Sequence, residues 1–330
     1  MPVFNRLATR AVLCAAVALA GAVRPGAAQS ASFQTSNRNP FVQIYGLPAV
    51  QARPLLVAGE MEAALALDIA TNYTGRETSR ESVWLDGETY RTTLVYREGA
   101  AGGLEWGFDI PFVSHRGGFL DGFVRDWHDL FGLPQGGRDR AADNLLLYRY
   151  GRDGVDAVAI TEPAAGVGDV QLHAALAGGN ADAWRVALKL PTGRSDRLFG
   201  SGGADLAVWW TSWAGRELGR PFGLYGGAGV LAMGRGDVLP QMQRRLVGFG
   251  SVGVDWKANA RLTFRAQVDA NTAFYRDTDL EQLGAASLQL GLGGTLFFAR
   301  DTGLDIAVVE DLLPDTAPDV VFHLRLWMRR

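Results

Sequence analysis

Between Arg261 and Asn271 the chain alternates without a break. Leu262, Phe264, Ala266, Val268 and Ala270 are apolar, while Arg261, Thr263, Arg265, Gln267, Asp269 and Asn271 are polar or charged. Successive side chains of a β-strand point to opposite faces, so strict period two specifies a strand with one apolar and one ionic surface. An ordinary half-buried strand is about 5 or 6 residues long, whereas one crossing a membrane at a tilt needs roughly 9 to 11. Length and alternation together point to an outer membrane.

The same pattern recurs from Met61 to Tyr73, Leu104 to Phe112, Trp184 to Leu190, Ala286 to Phe298 and Val320 to Met328. Short connections (Glu98 to Gly103, Gly151 to Gly154, Gly178 to Asp182, Lys257 to Ala260, Arg300 to Gly303) alternate with longer ones such as Ser114 to Asp143, Thr192 to Gly203 and Tyr275 to Gly284. Outer-membrane barrels have short periplasmic turns, longer extracellular loops and an even strand number. The predicted fold is therefore all-β, a transmembrane antiparallel β-barrel of about fourteen strands. Asn144 to Tyr150 and Val155 to Thr161 are the two weakest strands, and without them the count is twelve. A soluble barrel or sandwich shows the same alternation with its apolar set facing inward. Tryptophan favours the membrane: Trp106, Trp184, Trp213, Trp256 and Trp327 lie where strands approach the short-turn end, as an aromatic girdle requires.

The N-terminus carries Arg6 and Arg10, an apolar run from Ala11 to Val23, and small residues at Gly26-Ala27-Ala28. That is the anatomy of a secretory signal peptide over residues 1–28. Its loss would remove Cys14, the only cysteine, and with it any disulfide or thiolate metal site. It would also remove Arg6, Arg10 and Arg24, taking the formal charge from -3 to -6, so nucleic-acid binding has no electrostatic support. Residues 29–60 are too rich in turn formers to span anything and are expected in the periplasm or tucked into the barrel, which would occupy 61–330. The loop 114–143 contains Leu120, Phe123, Val124, Trp127, Leu130 and Phe131 at helical spacing, which predicts an amphipathic helix over 119–131 acting as a lid or plug. Asp86-Gly87 reads as a two-residue hairpin turn.

The wet parity supplies the candidate pore lining: Arg185, Lys189, Asp205, Arg261, Arg265, Gln267, Asp269, His323 and Arg325. Such a set either fills a barrel with salt bridges or lines a polar path. In the helical loop the candidates are His115, Asp121, Trp127, His128 and Arg138. His128 and Asp121 share a helix face but stand about 10 Å apart by rise, too far to converge on one metal. No serine follows His173 or His323 at the spacing that would put a nucleophile beside it, so no catalytic residue, metal or cofactor is expected.

Several motifs carry a resemblance. Gly117-Gly118-Phe119-Leu120-Asp121, Trp127-His128 and Phe131-Gly132-Leu133-Pro134 through Arg138 resemble the signature stretch of the bacterial domain-of-unknown-function family 3187. Asn39-Pro40, Tyr45-Gly46-Leu47-Pro48, Glu81-Ser82 with Asp86-Gly87-Glu88, Gly166-Val167-Gly168-Asp169, Leu190-Pro191-Thr192-Gly193, and Gly200-Ser201-Gly202 with Asp205 extend it over nearly the whole mature chain. It implies an outer-membrane barrel and brings no activity with it. Lys189 to Gly193 and Asn39-Pro40 are also similar to elements of the long-chain fatty-acid transporter and aromatic-hydrocarbon uptake barrels, whose lumen holds an N-terminal segment. The expected protein is a monomeric outer-membrane barrel of a Gram-negative bacterium that passively conducts a small amphipathic or apolar molecule, not an enzyme. Its expected partners are outer-membrane lipid, the barrel assembly machinery and a small ligand. A closed structural or adhesion barrel and, further off, a lipid hydrolase are the alternatives.

Overall fold

A computed structural model describes residues 32–123, 125–126, 143–179, 181–214, 221–313 and 315–330. Residues 1–28, read above as a signal peptide, lie outside them. In chain order the strands are β1 (Met61–Glu77), β2 (Glu81–Ala100), β3 (Leu104–Arg116), β4 (Leu147–Arg152), β5 (Val155–Ile160), β6 (Ala164–Val167), β7 (Gln171–Ala177) and β8 (Asp182–Lys189). They continue with β9 (Asp205–Ala214), β10 (Phe222–Met233), β11 (Leu246–Lys257), β12 (Leu262–Asn271), β13 (Ser287–Phe297), β14 (Thr302–Asp311) and β15 (Val320–Arg329). Each ring strand pairs antiparallel with its sequence neighbours except at β3, which pairs with β7, and β15 closes the ring on β1 from Thr71↔Val320 to Glu62↔Arg329. The closed ring thus has twelve of the fifteen strands, the lower of the two expected counts.

The two sequence-weak strands are β4 and β5, and neither crosses the wall. β4 lies between the upper end of β2, Glu81↔Arg152 to Asp86↔Leu147, and β5. Their turn at Gly154 is therefore the tip of a hairpin on the long-loop side, not one of the short turns at the opposite end. Asp86-Gly87 is likewise no hairpin. It lies inside β2, where the partner changes from β3 (Glu88↔Arg116) to β4 (Asp86↔Leu147). Gly87 has φ +141°, and a β-carbon there would meet the Arg116 carbonyl at 2.9 Å, so the fork needs glycine. β6 continues the line of β7 along β3 across the interruption Gly168 to Val170.

Burial alternates along the ring strands, interrupted at places such as Gly87–Thr89 of β2 and Val113–His115 of β3, and assigns the two faces. In β12, Thr263, Arg265, Gln267, Asp269 and Asn271 are buried inside. The outer surface exposes Leu65, Leu94, Phe112, Trp184, Leu224, Val252 and Leu326. This is the reverse of a soluble barrel, and water would not tolerate so continuous an apolar belt on a monomer. Trp106, Trp184 and Trp256 are exposed on the outside near the short turns, whereas Trp327 is buried inside against Phe297 at a ring distance of 5.9 Å.

Candidate functional site

The bore is filled by the chain's own residues 32–56. From Ser32 the segment climbs along β12, turns at residues 40–45 beneath the long loops, and descends to the short-turn end, where Gly59 N–H bonds to the Gly99 carbonyl at 3.1 Å. Ser32 N–H reaches the Ala52 carbonyl at 3.3 Å, so the two limbs lie side by side. Asn39 shapes the upper turn: its side chain accepts the Phe41 N–H at 2.9 Å, in the manner of an Asx-turn.

The wall holds the segment at three levels. Nearest the short turns, Arg53 forms a two-pronged pair with Glu105, each bond 2.9 Å, and Glu105 also accepts the Leu56 N–H at 2.9 Å. Arg185 reaches the same carboxylate at 3.5 Å and donates to the Arg53 carbonyl at 2.9 Å. At mid-height, Gln267 accepts the Phe33 N–H at 2.9 Å, and Asp269 accepts the Thr35 hydroxyl at 2.6 Å. Across the bore, Arg38 pairs with Asp68 at 2.7 Å, and His323 Nδ1 lies 2.6 Å from the other oxygen of that carboxylate. Trp209 Nε1 donates to the Val50 carbonyl at 2.7 Å.

At the upper level Lys189 is the node. Its ammonium donates to Asp169 at 2.5 Å, Ser201 at 2.6 Å and the Ile44 carbonyl at 3.2 Å, and lies 3.3 Å from Asp205. Asp205 accepts the Gly46 N–H at 2.9 Å, and Asp169 accepts the Gly193 N–H at 2.7 Å. A β-carbon on Gly46 would stand 3.1 Å from those of both Asp205 and Lys189, so glycine lets the backbone approach this closely. Four stretches scattered through the sequence, 44–46, 166–169, 189–193 and 200–205, thus converge on one buried cation. Above them Phe41, Tyr45, Phe274 and Tyr275 form an aromatic cap, with Tyr45 stacked on Phe274 at 5.4 Å and Tyr275 donating to the Phe41 carbonyl at 2.8 Å. Burial pushes the Tyr45 phenol well above its ordinary pKa, so it stays a neutral hydrogen-bonding group.

Of the nine candidate lining residues, eight face the bore, but each is engaged rather than bordering a water-filled path. Arg265 pairs with Asp305 at 3.2 Å and lies over the Phe33 ring, while Arg325 bridges Glu62 at 2.5 Å and Asp305 at 3.3 Å. Arg261 is the exception: it is exposed in the turn before β12, because the ladder begins only at Leu262. Voids beside the segment measure about 10, 20 and 50 Å³, room for a water or two and no solute. A larger cleft of about 310 Å³ opens at the short-turn end between Leu56, Val57, Ala100, Ala177 and Trp213.

The helical-loop candidates do not assemble. His115 belongs to β3, not to the loop, and is buried inside with Thr89 Oγ1 at 2.8 Å and Phe199 stacked at 5.5 Å. Asp121 accepts the Asn144 N–H at 2.8 Å. Trp127, His128 and Arg138 lie outside the described residues. The described start of the helix, residues 121–123 and 125–126, sits outside the barrel, with Phe123 against Phe322 at 5.9 Å on the outward face of β15. Of these residues Phe123 meets the outer wall and not the bore, and the rest of the expected lid or plug helix, 124 and 127–131, lies outside the described residues. His173 lies 3.0 Å from Asp109 on the inner face, so the three described histidines all point inward. Arg53, Glu105, Glu62, Asp68 and Asp169 are not among the sequence-derived site candidates. Wet parity in β1 and β3 marks Glu62, Asp68 and Glu105, but Arg53 and Asp169 lie outside any strand and carry no periodic signal.

The family profile described as a protein of unknown function (DUF3187) matches residues 7–329. No curated protein matches the chain. Among solved structures it is similar to the COG4313 outer membrane channel from Pseudomonas putida F1, at 12% identity over 84% of this chain and 97% of that one, with a TM-score of 0.54. It is also similar to the NanC porin at 9% identity over 81% of this chain and 97% of that one, with a TM-score of 0.40. For the Ralstonia pickettii toluene transporter TbuX the values are 12%, 83%, 89% and 0.38. At 12% identity the first likeness is one of fold alone.

Proposed function

The chain belongs to the DUF3187 family, to which no function is assigned, and we propose that it is an outer-membrane barrel conducting a small apolar or amphipathic molecule, with residues 32–56 as a displaceable plug. One observation carries this reading: the segment that fills the bore is held by hydrogen bonds and ion pairs to a polar wall. A wall of Arg, Lys, Asp and Gln can exchange its bonds to the segment for bonds to water, so the cost of withdrawal falls mainly on the apolar contacts of Phe41, Val42, Ile44, Leu47 and Val50. The cleft beside Leu56 and Trp213 offers an apolar surface at the short-turn end, while the buried aromatic cap of Phe41, Tyr45, Phe274 and Tyr275 closes the long-loop end and would be uncovered when the segment withdraws. The small voids favour a second reading, a permanently closed structural barrel.

A reversible lock separates the two. A β-carbon at position 46 would lie 3.1 Å from that of Asp205, about 0.4 Å short of the roughly 3.5 to 4.5 Å that disulfides span, so a bridge needs a small outward shift of the segment. In a Cys14→Ala background, Gly46→Cys with Asp205→Cys is reconstituted in liposomes, and entry of a small aromatic solute is timed before and after reduction. The reading expects flux in the reduced form and its loss in the oxidised form. Equal flux in both would remove the plug, and no flux in either, or in the wild type, would leave the closed barrel.

A further inference from the structure

We infer that residues 117–123 and 125–126 are an interfacial anchor, laid against the outside of the barrel with Phe119 and Phe123 among the acyl chains of the outer leaflet. Side-chain parity supports the placement. On β15, Val321, His323, Arg325 and Trp327 are buried inside, so Phe322 between them points outward, and it is Phe322 that meets the Phe123 ring. On β2, Thr89, Arg91 and Thr93 face the bore, so Glu88 and Tyr90 face out. Glu88 is nevertheless 1% exposed, because the loop covers it. Its carboxylate accepts the Leu120 N–H at 2.6 Å and the Tyr90 hydroxyl. A β-carbon on Gly118, at φ +95°, would collide with that carboxylate.

Phe322, Ile69, Tyr90 and Ser114 stand on one rung of β15, β1, β2 and β3. The loop therefore crosses the wall sideways from β3 toward β15. Tyr90 lies ten residues above the end of β2 at Ala100, and at roughly 3.4 Å per residue and a tilt of about 40° that is a height of about 25 Å, the full height of an outer-membrane apolar band. At this level Phe119 is 71% and Phe123 47% exposed, continuous with the exposed Leu65 and Leu94 lower on the same wall. Arg125 pairs with Asp143 at 2.6 Å on the polar side. Apolar rings on one side, a charged pair on the other and a location at the band's edge are the attributes of an interfacial helix. The occupant this surface fits is lipid, and the anchor would fix the barrel's depth.

The inference rests on the barrel's lying in a membrane, and the test separates the two. In the Cys14→Ala background, single cysteines at Phe119, Phe123 and Gly122 are labelled with bimane in phosphatidylcholine–phosphatidylglycerol vesicles. A β-carbon on Gly122 has nothing within 4 Å, so that site tolerates the change if the phenylalanine variants fold poorly. Val252→Cys reports the lipid face and Asp153→Cys the water. Lipid carrying a nitroxide at carbon 5 is expected to quench positions 119 and 123, or 122 in their place, at least half as strongly as position 252. Iodide is expected to quench them at least threefold less than position 153. Quenching by iodide alone would put the loop in water, and quenching by neither would put it inside the barrel, and either overturns the anchor. If position 252 itself escapes the lipid quencher, the membrane barrel falls first.

Discussion

Replacing Arg53 by Met should release the inner segment. The guanidinium is 1% exposed and makes two 2.9 Å bonds to a Glu105 carboxylate that is equally buried. Methionine keeps the methylene packing but leaves Glu105 with the Leu56 N–H and a 3.5 Å contact to Arg185. Breaking a buried pair from one side costs about 3 to 5 kcal/mol, chiefly because the stranded charge stays buried. The remaining partners put this case near the lower end, and about 3 kcal/mol shifts the released-to-seated ratio roughly 150-fold, since about 1.4 kcal/mol is tenfold. Single-channel recording in a planar bilayer reads that ratio as open probability. Adding Glu105→Gln removes the stranded carboxylate while preserving an acceptor for Leu56, and Arg185 keeps the residue 53 carbonyl and Thr211 as acceptors, so the double variant should fall between wild type and Arg53→Met. The reasoning is refuted if Arg53→Met, shown to be folded by its unheated gel mobility, opens within twofold of wild type. It is refuted equally if the double variant opens more often than the single.

Two further outcomes test the wall. Val252 is 54% exposed in the middle of β11, and Val252→Arg should cost about 2 to 4 kcal/mol of stability in lipid vesicles; an unchanged urea midpoint would mean that this face does not meet lipid. Gly87→Ala forces a β-carbon within 2.9 Å of the Arg116 carbonyl at φ +141°, so the midpoint should fall by the equivalent of about 1 to 3 kcal/mol. The neighbouring Asp86→Ala, free of that strain, serves as its control.

What the chain determines by itself is its two-faced strands. Alternation is a property of adjacent residues, and Thr263, Arg265, Gln267 and Asp269 share one face in any fold that extends this segment. Parity and length therefore sufficed for the barrel class and for eight of the nine inward residues, and failed at Arg261, where a strand end moved by one residue. Tertiary structure decided what those faces meet. Closure at twelve strands depends on β3 leaving the weak segments 147–152 and 155–160 to pair with β7, a choice among long-range ladders that local pattern does not rank. Lys189 is legible as an inward cation, yet its partners come from residues 44, 169, 201 and 205, brought together only when the ring closes around the inner segment. The amphipathic stretch after Gly118 announces an apolar face that must be covered. Lumen and lipid both offer apolar cover, and the contact between Phe123 and Phe322, 199 residues apart in the chain, is what turned that face outward.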